Sequence, residues 1–296
     1  MKNRWSVHSR THTILEECKL TKNVPSNAQN WDSIGKGYNI LNRYAESAEA
    51  FRQALYINPE NSTYLYFLGI AYFKLGRYTE AVETFRQALH IDPDDYINWN
   101  YLGKAYYKLH LYAEAVEAFR QTLHVSGYDM AWYGLGVTLE KLHRYAEAIE
   151  AYRQFISSDA MYIEMEIGIA YYNLGAIYCK LGYYANAIEV YHQAMDYDSE
   201  DTSPWNNIVI AHALSGNRTA ALAAVRELCR HDPERAEKLF NLIETPDGLK
   251  KTEECKDIMM DELLWHTLRG PWVDEEKAYC WNFYKMKPPV PKDWDI

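Results

Sequence analysis

The amino-acid sequence predicts an all-α solenoid of about six helix-turn-helix repeats, with a capping helix and a Trp-rich C-terminal extension. Three observations support this fold class. The sequence repeats itself every 34 residues, its apolar residues recur at helical spacing, and Gly and Pro are sparse, at 14 and 10 of 296 residues. Aromatic residues make up 15% of the chain, and 26 residues are Tyr. This composition is typical of helices that pack through aromatic rings.

The repeat is clearest in three aligned segments. The sequence YAESAEAFRQAL at 44–55 returns as YTEAVETFRQAL at 78–89 and as YAEAVEAFRQTL at 112–123. The same period sets out six copies, namely residues 28–61, 62–95, 96–128, 129–162, 168–201 and 202–235. The whole repeat region is therefore predicted to span residues 28–243 once a capping helix is added.

Each copy holds bulky and small residues at fixed positions. Position 8 is glycine in the first five copies (Gly35, Gly69, Gly103, Gly136 and Gly175), and position 24 is an aromatic ring (Phe51, Phe85, Phe119, Tyr152 and Tyr191). Positions 4, 8 and 11 share one face of a helix, and positions 20, 24 and 27 share one face of another. Each copy is therefore predicted to be two helices, A and B, whose axes approach closely at the glycine.

The breaks in the repeat indicate where helices end. Proline at position 32 (Pro59, Pro93 and Pro233) ends helix B, because it cannot continue the hydrogen-bond ladder. Five residues are inserted before the fifth copy, so 161–179 is predicted to be one lengthened helix A. The sixth copy has Val209 in place of glycine. Residues 233–243 are predicted to be a capping helix, since Asp232-Pro233-Glu234 is a typical helix start.

Two extensions lie outside the repeats. Residues 1–27 form a polar N-terminal extension, and residues 244–296 form a C-terminal extension that holds four of the nine tryptophans. A helix is predicted within the latter at about 250–268. Because large exposed apolar patches are rare, the C-terminal extension is predicted to dock on the repeats or on a partner.

The six copies in phase resemble the tetratricopeptide-repeat family over roughly residues 28–240. The resemblance implies a right-handed superhelix whose concave groove is lined by helix A, and it implies binding of another polypeptide. On this basis the predicted peptide-binding residues are Lys36, Tyr66, Phe73, Asn100, Lys104, Tyr107, Lys108, Tyr133, Tyr172 and Asn206. Since basic and aromatic residues alternate there, the predicted partner is a protein or peptide with acidic and apolar side chains, and self-association is an alternative.

Motifs for catalysis are absent from the sequence, which has no GxxxxGK, GxGxxG, GxSxG or HExxH. The five cysteines form no CxxC pair, and His8 and His12 lack a third ligand at suggestive spacing. The sequence thus predicts no enzyme, no metal site and no cofactor. A net charge of −10 disfavours nucleic acid. Without a signal peptide or an apolar span, the expected location is cytoplasmic, away from membranes.

The sequence leaves several functions open. The first hypothesis is a non-enzymatic scaffold or adaptor that binds a polypeptide segment in the groove. A second is an accessory or regulatory subunit of an enzyme complex, whose C-terminal extension docks the partner or occludes the groove. Two further alternatives are an enzyme whose site the extension completes against the repeats and a helical-repeat reader of RNA.

Overall fold

The computed structural model describes residues 27–158, 164–197 and 203–244, and these residues form thirteen α-helices with no strand among them. The helices are α1 Ala28–Ile40, α2 Tyr44–Ile57, α3 Ser62–Lys74, α4 Tyr78–Ile91, α5 Tyr96–Lys108, α6 Tyr112–Ser126, α7 Met130–Lys141, α8 Tyr145–Ile156, α9 Glu164–Lys180, α10 Tyr184–Met195, α11 Ser203–Leu214, α12 Arg218–Leu228 and α13 Pro233–Glu244. The predicted extension helix at 250–268, the C-terminal tryptophans and residues 1–26 lie outside the described residues.

The helices belong to two compact units. The first unit holds α1–α7 and the second holds α8–α13. Within the first unit α1 packs on α2, α3 on α4, and α5 on α6. Within the second unit α9 packs on α10, and α11 packs on α12. The predicted all-α architecture of consecutive helix pairs is confirmed.

The glycine at position 8 is the place where the two helices of a pair come closest. A Cβ atom added to Gly35 would lie 2.6 Å from the Phe51 ring, and one added to Gly69 would lie 2.5 Å from the Phe85 ring. Both rings are fully buried. The glycine is therefore needed to seat the ring at position 24, which explains why the two residues recur together.

A second ring covers the first where neighbouring pairs meet in the first unit. The Phe51 ring stacks on Phe67 with centroids 5.2 Å apart, and the Phe85 ring stacks on Tyr101 at 5.8 Å. Each of these layers runs from glycine to ring to ring. The position-6 rings of α3 and α5 thus join successive helix pairs.

The turns between paired helices need a left-handed residue at position 15. The φ angles there are 56° at Asn42, 74° at Gly76, 59° at His110 and 57° at His143. Glycine, and less readily Asn or His, adopts this conformation. The equal phase of His110 and His143 is thus explained by a shared turn.

The irregular elements agree with the sequence where they are described. Helix α9 has 17 residues, whereas α7 has 12, so the lengthened helix is confirmed from residue 164 onward. The first three residues of its predicted span, 161–163, lie outside the described part. The capping helix α13 is confirmed, and Asp232 caps it by accepting a hydrogen bond from the Arg235 N–H at 3.0 Å.

Candidate functional site

The ten predicted binding residues all lie on A helices. The first unit contains eight of them, namely Lys36 on α1, Tyr66 and Phe73 on α3, Asn100, Lys104, Tyr107 and Lys108 on α5, and Tyr133 on α7. The second unit contains Tyr172 on α9 and Asn206 on α11. The eight residues of the first unit therefore belong to one compact body.

Exposure differs sharply among these residues. Lys36, Tyr66, Phe73 and Lys108 are partly exposed. The other six are buried, with exposed fractions of 2% for Asn100, 2% for Lys104, 8% for Tyr107, 3% for Tyr133, 3% for Tyr172 and 1% for Asn206. The predicted residues with solvent access therefore lie on α1, α3 and α5.

A continuous row of charged and aromatic side chains crosses α1, α3 and α5. The Lys36 ammonium lies 5.0 Å from the centroid of the Phe67 ring, which contacts Tyr66 edge-on at 5.0 Å. Tyr66 in turn contacts Tyr101 at 5.9 Å, and the Lys104 ammonium lies 4.8 Å from the Tyr101 centroid. We name this row, together with Phe73, the cation–ring strip: Lys36, Phe67, Tyr66, Phe73, Tyr101 and Lys104.

Tyr101 is the centre of the cation–ring strip. Its ring contacts Tyr66 and also Phe73, whose centroid lies 6.1 Å away. The sequence reasoning missed Tyr101 and Phe67, which both occupy position 6. A signal was present, because position 6 is aromatic only in the second and third copies and is Ser, Gly or Asn in the others.

The charged groups near the strip are held in place by neighbours. Lys36 pairs with Asp32 one turn earlier, with Nζ and Oδ2 2.8 Å apart, and its side chain is 42% exposed.

Burial lowers the pKa of Lys108 below its ordinary value. A nearby carboxylate favours the charged form of a lysine, so an anionic partner would counter this shift.

A buried amide lies one turn before Lys104. Among the described residues, Asn100 Oδ1 has no hydrogen-bond partner although the residue is only 2% exposed. An unsatisfied buried acceptor costs free energy unless a donor reaches it. Asn100 and Lys104 are four residues apart, so they share one face of α5 as neighbouring polar groups.

Charge is segregated between the two helix types of the first unit. Helices α1, α3, α5 and α7 carry five Lys and two acidic residues. Helices α2, α4 and α6 carry six Glu and three Arg. The A helices are thus cationic within a chain whose net charge is −10.

Two features would indicate other chemistry, namely a cluster of metal ligands and a helix that spans a membrane. The described part of the chain holds no set of three His, Cys, Asp or Glu side chains placed to bind a metal ion. None of its helices has the length and apolar character needed to cross a bilayer. A surface cavity of about 280 Å³ lies in the second unit between Arg153, Tyr171, Leu174 and Glu189, and it contains none of the predicted residues.

Comparison with known proteins assigns the family. Three models described as tetratricopeptide repeat match residues 41–96 with 102–162, residues 73–126, and residues 168–201. Together these matches cover more than half of the chain. No curated protein matches the sequence significantly.

Solved structures show the same fold. YrrB, described as a TPR protein with an unusual peptide-binding site, has a TM-score of 0.56 at 19% identity and covers 66% of this chain and 99% of its own. PilF of Pseudomonas aeruginosa scores 0.57 at 16% identity, covering 72% and 96%. The C-terminal part of a TPR repeat-containing protein from Cytophaga hutchinsonii scores 0.63 at 14% identity, covering 78% and 95%.

The chain belongs to the tetratricopeptide-repeat family. Its consecutive helix pairs and the glycine-to-ring contacts are what the repeat pattern predicted. The family and the fold support, in general terms, a scaffold for protein–protein interaction.

Proposed function

We propose that the chain is a non-enzymatic scaffold or adaptor that binds a polypeptide segment along the A helices of its first unit. One observation carries this proposal, namely the cation–ring strip across α1, α3 and α5. Its rings offer apolar area and its lysines offer charge. A partner segment with acidic and apolar side chains complements both.

The form of the strip favours a polypeptide over a small molecule. Small ligands are bound in cavities that enclose most of their surface. The strip instead runs over three successive helices, and its partly exposed members, which include Tyr101 of α5, lie on all three. A chain segment laid across these helices contacts them one after another.

Charge distribution supports a protein partner rather than a nucleic acid. Binding to phosphate requires many cationic contacts. The first unit has five Lys on its A helices, but its B helices carry six Glu, and the chain as a whole carries −10. A local acidic segment is matched by the A-helix surface without requiring an extended polyanion.

The proposal is tested by affinity purification from the native host with quantitative mass spectrometry. We compare the wild-type chain with Lys104→Glu/Lys108→Glu and with the control Lys141→Glu, an exposed lysine of α7 outside the strip. Proteins that bind the wild type and the control, and that the double variant loses, support the proposal. Equal capture by all three chains would place the binding surface elsewhere.

The same purification separates an adaptor from an accessory subunit. A partner enzyme that elutes with the chain in a fixed ratio through gel filtration identifies an accessory subunit. Partners that dissociate during gel filtration identify an adaptor that binds transiently.

A further inference from the structure

The two lysines of the cation–ring strip are separated by a limited distance. The contacts from Lys36 through Phe67, Tyr66 and Tyr101 to Lys104 each measure between 4.8 and 5.9 Å. The two ammonium nitrogens therefore lie at most about 21 Å apart, a span that an extended chain covers in about six residues at roughly 3.3 Å per residue.

The middle of the strip is apolar. Tyr66 of α3 lies between the two lysines in the row of contacts, Phe73 of α3 contacts the Tyr101 ring of that row, and both side chains are partly exposed. Ile70 takes position 9 on α3, the position that Lys36 and Lys104 occupy on α1 and α5, and it is 9% exposed. The order along the row is thus cation, apolar, cation.

An extended segment presents alternate side chains to one face. Side chains that contact the strip together must therefore be separated by an even number of positions. Resting on the proposed function, we infer that the partner segment carries two acidic residues four or six positions apart, with an apolar residue at an even position between them.

The two ends of the strip have different roles in this recognition. Lys36 is 42% exposed and uses one contact for Asp32, while an ammonium group has three donors. Lys104 is 2% exposed, so a carboxylate reaches it only by replacing part of its present surroundings. An exposed charge mainly sets the association rate, and a buried charge mainly sets the dissociation rate.

A random dodecapeptide library displayed on phage, selected against the intact chain, tests the inference. The expected peptides contain Asp or Glu at a separation of four or six, with an apolar residue at an even position between. Exchange of either acid for Asn or Gln in the synthetic peptide is expected to weaken binding, measured by calorimetry.

Three single variants locate the binding. Lys36→Gln is expected to raise Kd about 2- to 5-fold through slower association. Lys104→Gln is expected to raise Kd at least about 30-fold through faster dissociation. Lys141→Gln serves as the control and is expected to leave Kd unchanged. Circular dichroism checks that Lys104→Gln folds, and the exposed Lys36→Gln provides an independent test if it does not.

The outcomes separate this inference from the proposed function. If the selected peptides lack the spacing but bind the Lys36→Gln and Lys104→Gln variants more weakly than the wild type, the inferred spacing is wrong and the proposed peptide-binding surface stands. Selected peptides that bind every variant equally, or a selection that enriches no peptide, would overturn both.

Discussion

A single missing side chain at position 8 decides how tightly the helices of a pair approach. In α3, Gly69 leaves room for the Phe85 ring, which a Cβ would meet at 2.5 Å. The sixth copy shows the alternative, because Val209 replaces the glycine and Val225 replaces the ring. Both valines are buried, at 0% and 6% exposure. In that copy a larger side chain at position 8 thus accompanies a smaller one at position 24.

This exchange of volume predicts a rescue. Gly69→Val is expected to cost about 1–3 kcal/mol by overpacking the Phe85 ring. Because Phe85→Val makes the space that the introduced valine side chain needs, the double variant is expected to lose at least about 1 kcal/mol less than the sum of the single variants. Urea denaturation followed by circular dichroism measures all three. Strict additivity would show that the two positions do not share the space.

The two free cysteines that the structure describes differ in their surroundings. Cys179 is 6% exposed and Cys229 is exposed. Burial raises the pKa of the Cys179 thiol to about 12. The thiolate is the reactive form, so iodoacetamide at pH 8.5 is expected to label Cys229 and spare Cys179 in the folded chain. Peptide mass spectrometry resolves the two sites, and equal labelling would contradict the burial.

The same thiol predicts a dependence of stability on pH. Its folded pKa lies above the value of an unfolded thiol, so the folded state holds the proton more tightly. Its contribution is complete below the unfolded pKa and is lost as pH rises toward 12. The free energy of unfolding is expected to fall above pH 9 by up to about 1.4 kcal/mol per pH unit from this group. In the Cys179→Ala variant, the free energy of unfolding is expected to fall less steeply with pH above pH 9 than it does in the wild type.

Residue identity could be read from the sequence more readily than residue exposure. The glycine and the ring partner were predicted because their roles recur at a fixed position. The burial of Lys104 and Asn100 was not predicted, because it depends on the distances between helices and not on the period of the repeat. Phe67 and Tyr101 were missed for a related reason, since their function comes from contacts across repeats.

At the scale of single elements, the capping helix α13 shows how the second unit closes. One face of α13 buries Ala236, Leu239 and Ile243, with Leu239 3% exposed. Phe240, the next residue, is 45% exposed. The sequence predicted this helix from Asp232 and Pro233, because a cap and a proline mark a helix start independently of the repeat. The helix therefore joins the core through one stripe.

Adjacent residues on α13 provide a matched pair for testing this closure. Leu239→Ala is expected to destabilise the chain by about 2–4 kcal/mol, since it removes a buried side chain and leaves a cavity. Phe240→Ala is expected to change stability by less than about 0.5 kcal/mol, although it removes a larger group. Thermal denaturation compares the two variants. Similar losses for both would mean that α13 does not pack as described.

The end of α6 shows an element that the repeat alone did not specify. The third copy has no proline after helix B, and α6 stops instead where Gly127 takes a left-handed φ of 63°. Pro93 follows α4 at the corresponding point of the second copy. Two residues with different backbone chemistry thus end equivalent helices. The sequence predicted a stop at the prolines, while the glycine became clear only from its conformation.

At the scale of the whole molecule, the first unit is the part that arranges its charge by helix type rather than evenly. The A helices of the first unit carry an excess of Lys, and its B helices carry an excess of Glu. The net charge of −10 by itself would repel an acidic partner at long range. Binding of such a partner therefore requires that local charge outweigh net charge.

Salt dependence and a pair of substitutions decide whether local charge or net charge governs binding. The Debye length is about 10 Å at 0.1 M salt, so the local strip is screened less than distant charges are. For a selected acidic peptide, raising NaCl from about 50 to 500 mM is expected to weaken binding. Lys36→Gln is expected to reduce that salt dependence. Glu83→Gln changes net charge by one unit in the opposite direction, at an exposed position of α4, and it is expected to leave affinity unchanged. If Glu83→Gln instead strengthens binding as much as Lys36→Gln weakens it, net charge controls the interaction and the strip has no special role.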